Sequence, residues 1–292
     1  MKFMKYRWLY FLVSGLAVGL SVLSLLLFGV KPSVDFTSGS LLEFESDTNL
    51  LEFRDQIAQE VETTYLINSI QQAGDRNYVF RGSELTIDQR NLVGLAVLRV
   101  APDAVLVRFE TLGPAISQEL VRKTVTAIVL VAVIIALYVW YQFSQAKFGV
   151  CAILAMLHDT LILLGAFSAL GHFLGVEVDV LFVTALLTTL SFSIHDTIVV
   201  YHRIRELQQT FPRYSTEERI DIAISETLTR SLNNSLTIIF ALLSLALLSG
   251  PSLQWFAIAL LIGAVAGTYS SSFTAAPLLL VWERVFEKKR NL

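Results

Sequence analysis

The chain has 292 residues, 54% hydrophobic and 16% charged, with a formal net charge of -3 and a mean hydropathy of +0.61. That is too apolar for an ordinary soluble domain, and the apolar residues stand in blocks, the signature of an integral membrane protein. The single cysteine, Cys151, excludes an intrachain disulfide and reads as a small packed hydrophobe, and no C-x-x-C, H-E-x-x-H, Walker A or G-x-G-x-x-G pattern occurs, so neither a catalytic constellation nor a metal site is expected.

Met1 to Arg7 is short and basic, and the apolar run Trp8 to Val30 follows it. Roughly 20 helical residues cross the hydrocarbon of a bilayer, so this run is long enough to span. A signal peptide has a shorter apolar core and a small-residue cleavage site, which predicts an uncleaved first helix with a cytoplasmic N-terminus. Lys31 to about Arg122 has soluble composition, and Asp35, Glu43, Glu45, Asp47, Glu52, Asp55, Glu60 and Glu62 crowd its first third. Ser40 to Glu45 alternates as a strand, and Asp47-Thr48-Asn49 caps a helix through about Val61. Tyr65 to Ile70 and Tyr78 to Arg81 read as strands around the turn Ala73-Gly74-Asp75. Thr86 to Val100 reads as a helix and Ala104 to Phe109 as a strand. The order is the split βαβ pattern of a ferredoxin-like α+β domain.

Further spans are predicted from about Val125 to Tyr141, Phe148 to Leu170, Val178 to Tyr201, Leu232 to Leu248 and Leu253 to Trp282. The last is long enough to tilt or to end in an interfacial helix. Connecting turns alternate in charge: Lys147 is basic, Glu177 and Asp179 acidic, and Arg203, Arg205, Arg213 and Arg219 basic again. By the positive-inside rule both termini are cytoplasmic and the folded domain is extracytoplasmic. The expected division is 1–30 for the N-terminus and first helix, 31–122 for the folded domain, 123–283 for the other five helices and 284–292 for a basic tail.

Asp196 is the leading candidate for function. Ionisable groups within a membrane are costly and face protein or water, and a carboxyl whose neighbours rearrange can gain and lose a proton. Its other reading is a structural hydrogen-bonding group near the interface. His195, about 100° round the helix, is either a proton relay or a neutral group bonded to a neighbour. Arg230 starts a polar stripe with Asn234 and Thr237, and Asn233 close by. It is either the cation that tunes Asp196 or a snorkelling positive-inside residue. His158 and Asp159 either extend the proton path or satisfy each other. The His-Asp-Thr triplet they begin recurs at His195-Asp196-Thr197, an echo read as chance. Gly263 and Gly267, with Ser270 and Ser271, form a small-residue face for close helix packing.

In order and spacing these motifs resemble the SecF family of bacterial protein secretion. The resemblance runs through Val34-Asp35-Phe36-Thr37-Ser38-Gly39, Gly113-Pro114 with Glu119-Leu120, and His158-Asp159. It continues through Ser193 to Val200 with Arg203-Ile204-Arg205-Glu206, Thr227 to Ser231, and Gly267 to Ser271. It implies an RND-type six-helix half-unit in the bacterial plasma membrane that pairs with a SecD-like subunit and, without being an enzyme, uses the proton gradient to promote preprotein export. Protons would be the coupling ion, with no cofactor and no nucleic acid. A SecYEG-type translocon, a YidC-type insertase, unfolded preprotein and membrane lipid would be the other partners. Asp196 and Arg230 would be the proton-pathway residues of this subunit. The family usually has Asn where His195 stands and Asp where His202 stands. Two rivals remain open: a half-unit of an RND-type lipid or drug exporter, and a non-transporting translocon or insertase scaffold.

Overall fold

The computed structural model describes residues 2–53, 57, 67–72, 76–143 and 145–287. The chain divides into two compact units, Lys31–Thr126 with Leu170–Val180, and Met1–Val30 with Ala127–Ala169 and Leu181–Leu292.

In the smaller unit, strands β1 (Gly39–Glu45), β2 (Ile67–Gln72), β3 (Asn77–Gly82) and β4 (Val105–Leu112) form one antiparallel sheet, and helix α2 (Ile87–Val100) connects β3 to β4. The order is β2-β3-β1-β4, so β1 is central and its residues from Gly39 to Phe44 are buried. Alternation sends Leu42 and Phe44 to the face where Tyr78, Phe80, Val93, Ala96 and Val97 make the core. Val34, Leu41 and Val79 cluster separately. Thr86 and Gln89 start α2 with a reciprocal capping box. Register slips between Glu43, opposite Arg108, and Phe44, opposite Leu106, leaving Val107 as an extra residue in β4. The helix expected through Val61 and the turn at Ala73-Gly74-Asp75 lie outside the described residues, except for the helix's first part and Ile57. Asp47 and Thr48 are organised by Asp103, which accepts from the Asp47 amide at 2.6 Å, Ser46 Oγ at 2.8 Å and Thr48 Oγ1 at 2.9 Å. Those donors hold the Asp103 carboxyl down at about 2. Glu43, one of the acids that crowd the first third of this stretch, is buried between strands and accepts from Asn77 Nδ2 at 3.2 Å; burial pushes its carboxyl up.

The larger unit is helical. Its helices are α1 (Arg7–Phe28), α3 (Pro114–Phe143), α4 (Ala146–Leu174), α5 (Val180–Thr210), α6 (Thr216–Leu248) and α7 (Pro251–Ser270), which continues through a π-turn at Ser271–Ala275 into α8 (Ala276–Trp282). Among the described residues six such rods are long and apolar enough to cross a membrane, and α4, α5 and α7 with α8 are the inner ones. The π-turn has a local cause. Pro277 lacks an amide and its ring would clash with the carbonyl of Phe273, so the preceding turn widens. Tyr201 Oη donates to the carbonyl of Ala275 at 2.9 Å within that wider turn.

Two helices outrun their apolar stretches. α5 continues past Tyr201 to Thr210, and α6 begins at Thr216 with a Ser215–Glu218 capping box, well before Leu232. The extra turns are amphipathic: Ile204, Leu207, Ile220, Ala223 and Ile224 pack with Met4, Leu279 and Leu280 in one core. Charges close this end, with Arg7 on Glu217 at 2.5 Å, Lys147 on Glu283 at 2.7 Å and Arg284 also on Glu217. Cys151 is buried in the same core.

Small residues permit a close helix contact in this unit. A Cβ at Gly165 on α4 would fall 2.4 Å from Ser21 Cα of α1, whereas one at Gly19 meets nothing within 4 Å. Gly165→Ala is therefore expected to force α1 away and lower stability by about 1–3 kcal/mol, the usual range for overpacking. Gly19→Ala is expected to be near neutral. Thermal unfolding of the two purified variants in one detergent separates them.

Candidate functional site

Helical periodicity sets Thr189, Ser193, Asp196 and Val200 along one face of α5, and all are buried. α7 meets this face with its glycines. A Cβ at Gly263 would lie 2.1 Å from Thr189 Oγ1, and one at Gly267 would lie 3.2 Å from Ser193 Cα. The G-x-x-x-G spacing thus lets two backbones approach where α5 carries small hydroxyl residues.

On α4, Asp159 is fully buried and joins three helices. Its Oδ2 accepts from Ser193 Oγ of α5 at 2.5 Å and from Ser270 Oγ of α7 at 2.6 Å. Its Oδ1 lies 2.8 Å from His158 Nδ1, and His158 Nε2 is buried without a hydrogen bond among the described residues. With Nε2 unpartnered, the tautomer bearing the proton on Nδ1 suits the pair. Ser193 is one helical turn from Asp196, so the two carboxylates flank one stripe of α5.

Asp196 accepts from Ser231 Oγ of α6 at 2.6 Å. Beside it lies a cavity of about 20 Å³ bordered by His195, Asn234, Ser235 and Thr268, room for one water among polar partners. Thr268 Oγ1 donates to Ser235 Oγ at 2.6 Å on its wall. His195 is exposed on α5 and reaches the site only as part of this wall.

Arg230 carried two readings from the sequence, a cation that tunes Asp196 or a snorkelling residue. It makes no hydrogen bond or ion pair with Asp196 in this structure, where Ser231 is the partner. The buried stripe of α6 is Thr227, Ser231 and Ser235, while Arg230, Asn233, Asn234 and Thr237 are exposed. One residue of offset turns a side chain about 100° round a helix, so the polar stripe seen in the sequence lies beside the buried one, with Asn234 at the edge of the cavity next to Asp196. Arg230 instead lines a groove of about 480 Å³ with Val199, His202 and Thr227. Arg203 also lines it, pairing with Glu206 at 2.6 Å and Glu226 at 2.5 Å. His202 Nε2 meets Gln142 Nε2 at 2.7 Å.

The hydroxyls Ser193, Ser231, Ser235 and Thr268 were not singled out from the sequence. Their signal was the four-residue spacing of Thr227, Ser231 and Ser235 on α6, and of Thr189 and Ser193 on α5. Among the described residues no His, Cys, Asp and Glu cluster could hold a metal ion.

The family described as protein export membrane protein SecD/SecF, C-terminal, matches residues 94–285. The protein translocase subunit SecF of Thermobaculum terrenum is 37% identical over 96% of this chain and 93% of its own length. The SecF subunit of Anaerolinea thermophila is 35% identical over 95% of this chain and 92% of its own. A crystal structure of SecDF from Thermus thermophilus, described as a translocon-associated membrane protein, superposes with a TM-score of 0.86 at 30% identity over 97% of this chain. This chain spans 39% of that one. A SecDF structure described as the super-membrane-facing form gives 0.70 at the same 30% identity. With its six apolar helices and these relatives, the chain is a multi-pass membrane protein that belongs to the SecF family of protein-export membrane proteins.

Proposed function

We propose that this chain is the SecF-type, non-catalytic subunit of a proton-driven export complex, with protons as the coupling ion and no cofactor. The observation that carries the reading is the pair of buried carboxylates, Asp159 of α4 and Asp196 of α5, of which Asp159 accepts from Ser193, one helical turn before Asp196 on α5. Buried acids in a membrane bundle are expensive and default to function. Exchange of a proton at Asp196 would bias a two-state bundle, with Arg230 the cation that approaches it in the second state. His195 lies beside the path, and His158 with Asp159 extends it. The unequal TM-scores of two SecDF structures at equal identity support more than one arrangement of this fold.

The exposed polar face of Arg230, Asn233, Asn234 and Thr237 must meet protein or water inside a bilayer. It favours a SecD-like subunit as the second RND-type half. By analogy with the translocon-associated relative, a SecYEG-type translocon, a YidC-type insertase and unfolded preprotein are the remaining partners. The basic turns support cytoplasmic termini and an extracytoplasmic sheet-bearing unit. Strand order β2-β3-β1-β4 with α2 between β3 and β4 supports a ferredoxin-like fold for that unit. The outer edge of β4 suits transient strand addition by an extended chain, over Arg108–Leu112 beyond the bulge at Val107.

Membrane vesicles containing the chain with its SecD partner and translocon test the central claim. Preprotein export is expected to carry a component that an uncoupler removes and that is absent without this chain. Equal export with and without the gradient would overturn it.

A further inference from the structure

We propose that Asp35 and Glu177 are positioning residues that fasten the start of α5, the helix bearing Asp196, to the sheet-bearing unit. A shift of α5 would then act directly on that unit. The significance for export rests on the proton-coupled reading above; the fastening itself does not.

A turn between two membrane helices needs only to close the gap, but Leu170–Val180 does more and forms part of the compact unit built on the sheet. Pro32 and Val178 form a parallel β-bridge. The Ser33 amide donates to the Val178 carbonyl at 2.9 Å, and the Val178 amide donates to the Lys31 carbonyl at 2.8 Å. In such a bridge the flanking residues supply the bonds, so the amide that Pro32 lacks is not needed. The turn is tight on its other side. Gly175 takes a φ of 72°, and a Cβ on Gly171 would lie 3.0 Å from the Val176 carbonyl. Both positions favour glycine.

Two side-chain contacts then tie the turn to the unit. Val180 is the first residue of α5, and its amide donates to Asp35 Oδ2 at 3.1 Å. The first amides of a helix have no partner within it and attract negative charge. Here a carboxylate distant in sequence serves one of them. Asp35 is held in turn: its own amide donates to Ser33 Oγ at 3.2 Å, and its neighbour Val34 packs with Leu41 of β1 and Val79 of β3. Glu177 Oε1 lies 2.7 Å from Arg81 Nη2 of β3, with the two side chains 12% and 17% exposed. Burial pushes the Glu177 carboxyl up and the Arg81 guanidinium down, and each charge offsets part of that penalty on the other. Lys31 adds a second cation beside Glu177. Three contacts of different kinds therefore converge on four successive residues at the start of α5: the bridge at Val178, the ion pair at Glu177 and the carboxylate at Val180.

The test uses the full chain in its complex with the SecD partner and translocon, with Cys151→Ser so that introduced cysteines are the only ones here. Asp35→Ala with Glu177→Ala is expected to cut gradient-stimulated export about tenfold, while gradient-independent export and complex yield stay unchanged. Asp35→Asn keeps an oxygen acceptor for the Val180 amide and is expected to retain most of the stimulation. Bridged residues lie about 5 Å apart, within disulfide range. A Pro32→Cys/Val178→Cys pair is expected to oxidise at the same rate with and without the gradient and to restore the double variant until reductant is added.

Wild-type stimulation in the double variant, or failure of the disulfide to restore it, would overturn the proposal. So would loss of stimulation when the disulfide closes an otherwise unaltered chain, since the fastening would then have to open. If the unaltered complex shows no gradient-stimulated component, the proton reading fails instead. The oxidation rate then judges the fastening alone: rapid closure in the unaltered chain and slow closure in the double variant support it, and equal rates reject it.

Discussion

Asp196→Asn is expected to remove the gradient-stimulated part of export completely, a loss of at least about tenfold where that part dominates, and to leave gradient-independent export intact. Asparagine has nearly the volume of aspartate and keeps an oxygen for Ser231 Oγ, which now donates to Asp196 Oδ2 at 2.6 Å. The contact between α5 and α7 through Thr189, Ser193, Gly263 and Gly267 does not involve the exchanged atoms. What disappears is the ability to bind and release a proton, so a selective loss isolates titration from packing. Export of one preprotein into energised and uncoupled vesicles, at matched amounts of assembled complex, provides the measurement. Unchanged stimulation would make Asp196 a structural acceptor and favour a scaffold role. Ser231→Ala supplies the graded companion. It leaves Asp196 able to titrate but without its donor, and a partial loss is expected. A full loss from Ser231→Ala would shift the weight from the proton to the α5–α6 contact.

How much of this was legible beforehand depends on which force shapes each part. The six helices show because the bilayer demands long apolar runs, and such runs occur by chance rarely. The strands show because β1, β3 and β4 alternate between a packed core and another face. The turns by which α5 and α6 outrun their apolar stretches do not show in hydropathy. They are amphipathic helices whose core is assembled from Met4, Ile204, Ile220 and Leu279, far apart in sequence. The fastening of Leu170–Val180 is hidden for a related reason: two of its bonds are backbone bonds, which any residues make. Asp196 and Asp159 were visible as charges out of place. Their immediate partners were not, because a serine in a membrane helix is unremarkable until a carboxylate stands across from it. Arg230 shows the limit of a stripe read from sequence. Its stripe with Asn234 and Thr237 is real in the sequence, but periodicity defines a face without saying which neighbour that face meets.

Asp159→Ala is expected to be among the most destabilising single changes in the helical unit. Three donors, Ser193 Oγ, Ser270 Oγ and His158 Nδ1, converge on that carboxylate from α5, α7 and α4 itself. Hydrogen bonds inside membrane bundles contribute about 0.6–1.7 kcal/mol each, so losing three costs roughly 2–5 kcal/mol before any relaxation. The side chain is fully buried, so bulk water cannot substitute without opening the contact between α5 and α7. Thermal unfolding of the detergent-solubilised complex, with its yield from membranes, measures the loss. Ser270→Ala and Ser193→Ala each remove one donor from the same oxygen, so their effects should not add, because either remaining hydroxyl can improve its geometry. Asp159→Asn separates architecture from proton transfer. Asparagine offers only one accepting oxygen, yet it keeps the side chain's shape, and the complex is expected to assemble with a smaller loss of stability. If that assembled variant also loses gradient-stimulated export, Asp159 and His158 belong to the proton path. If it exports as the unaltered chain does, Asp159 is the acceptor that holds three helices in register, and Asp196 titrates alone.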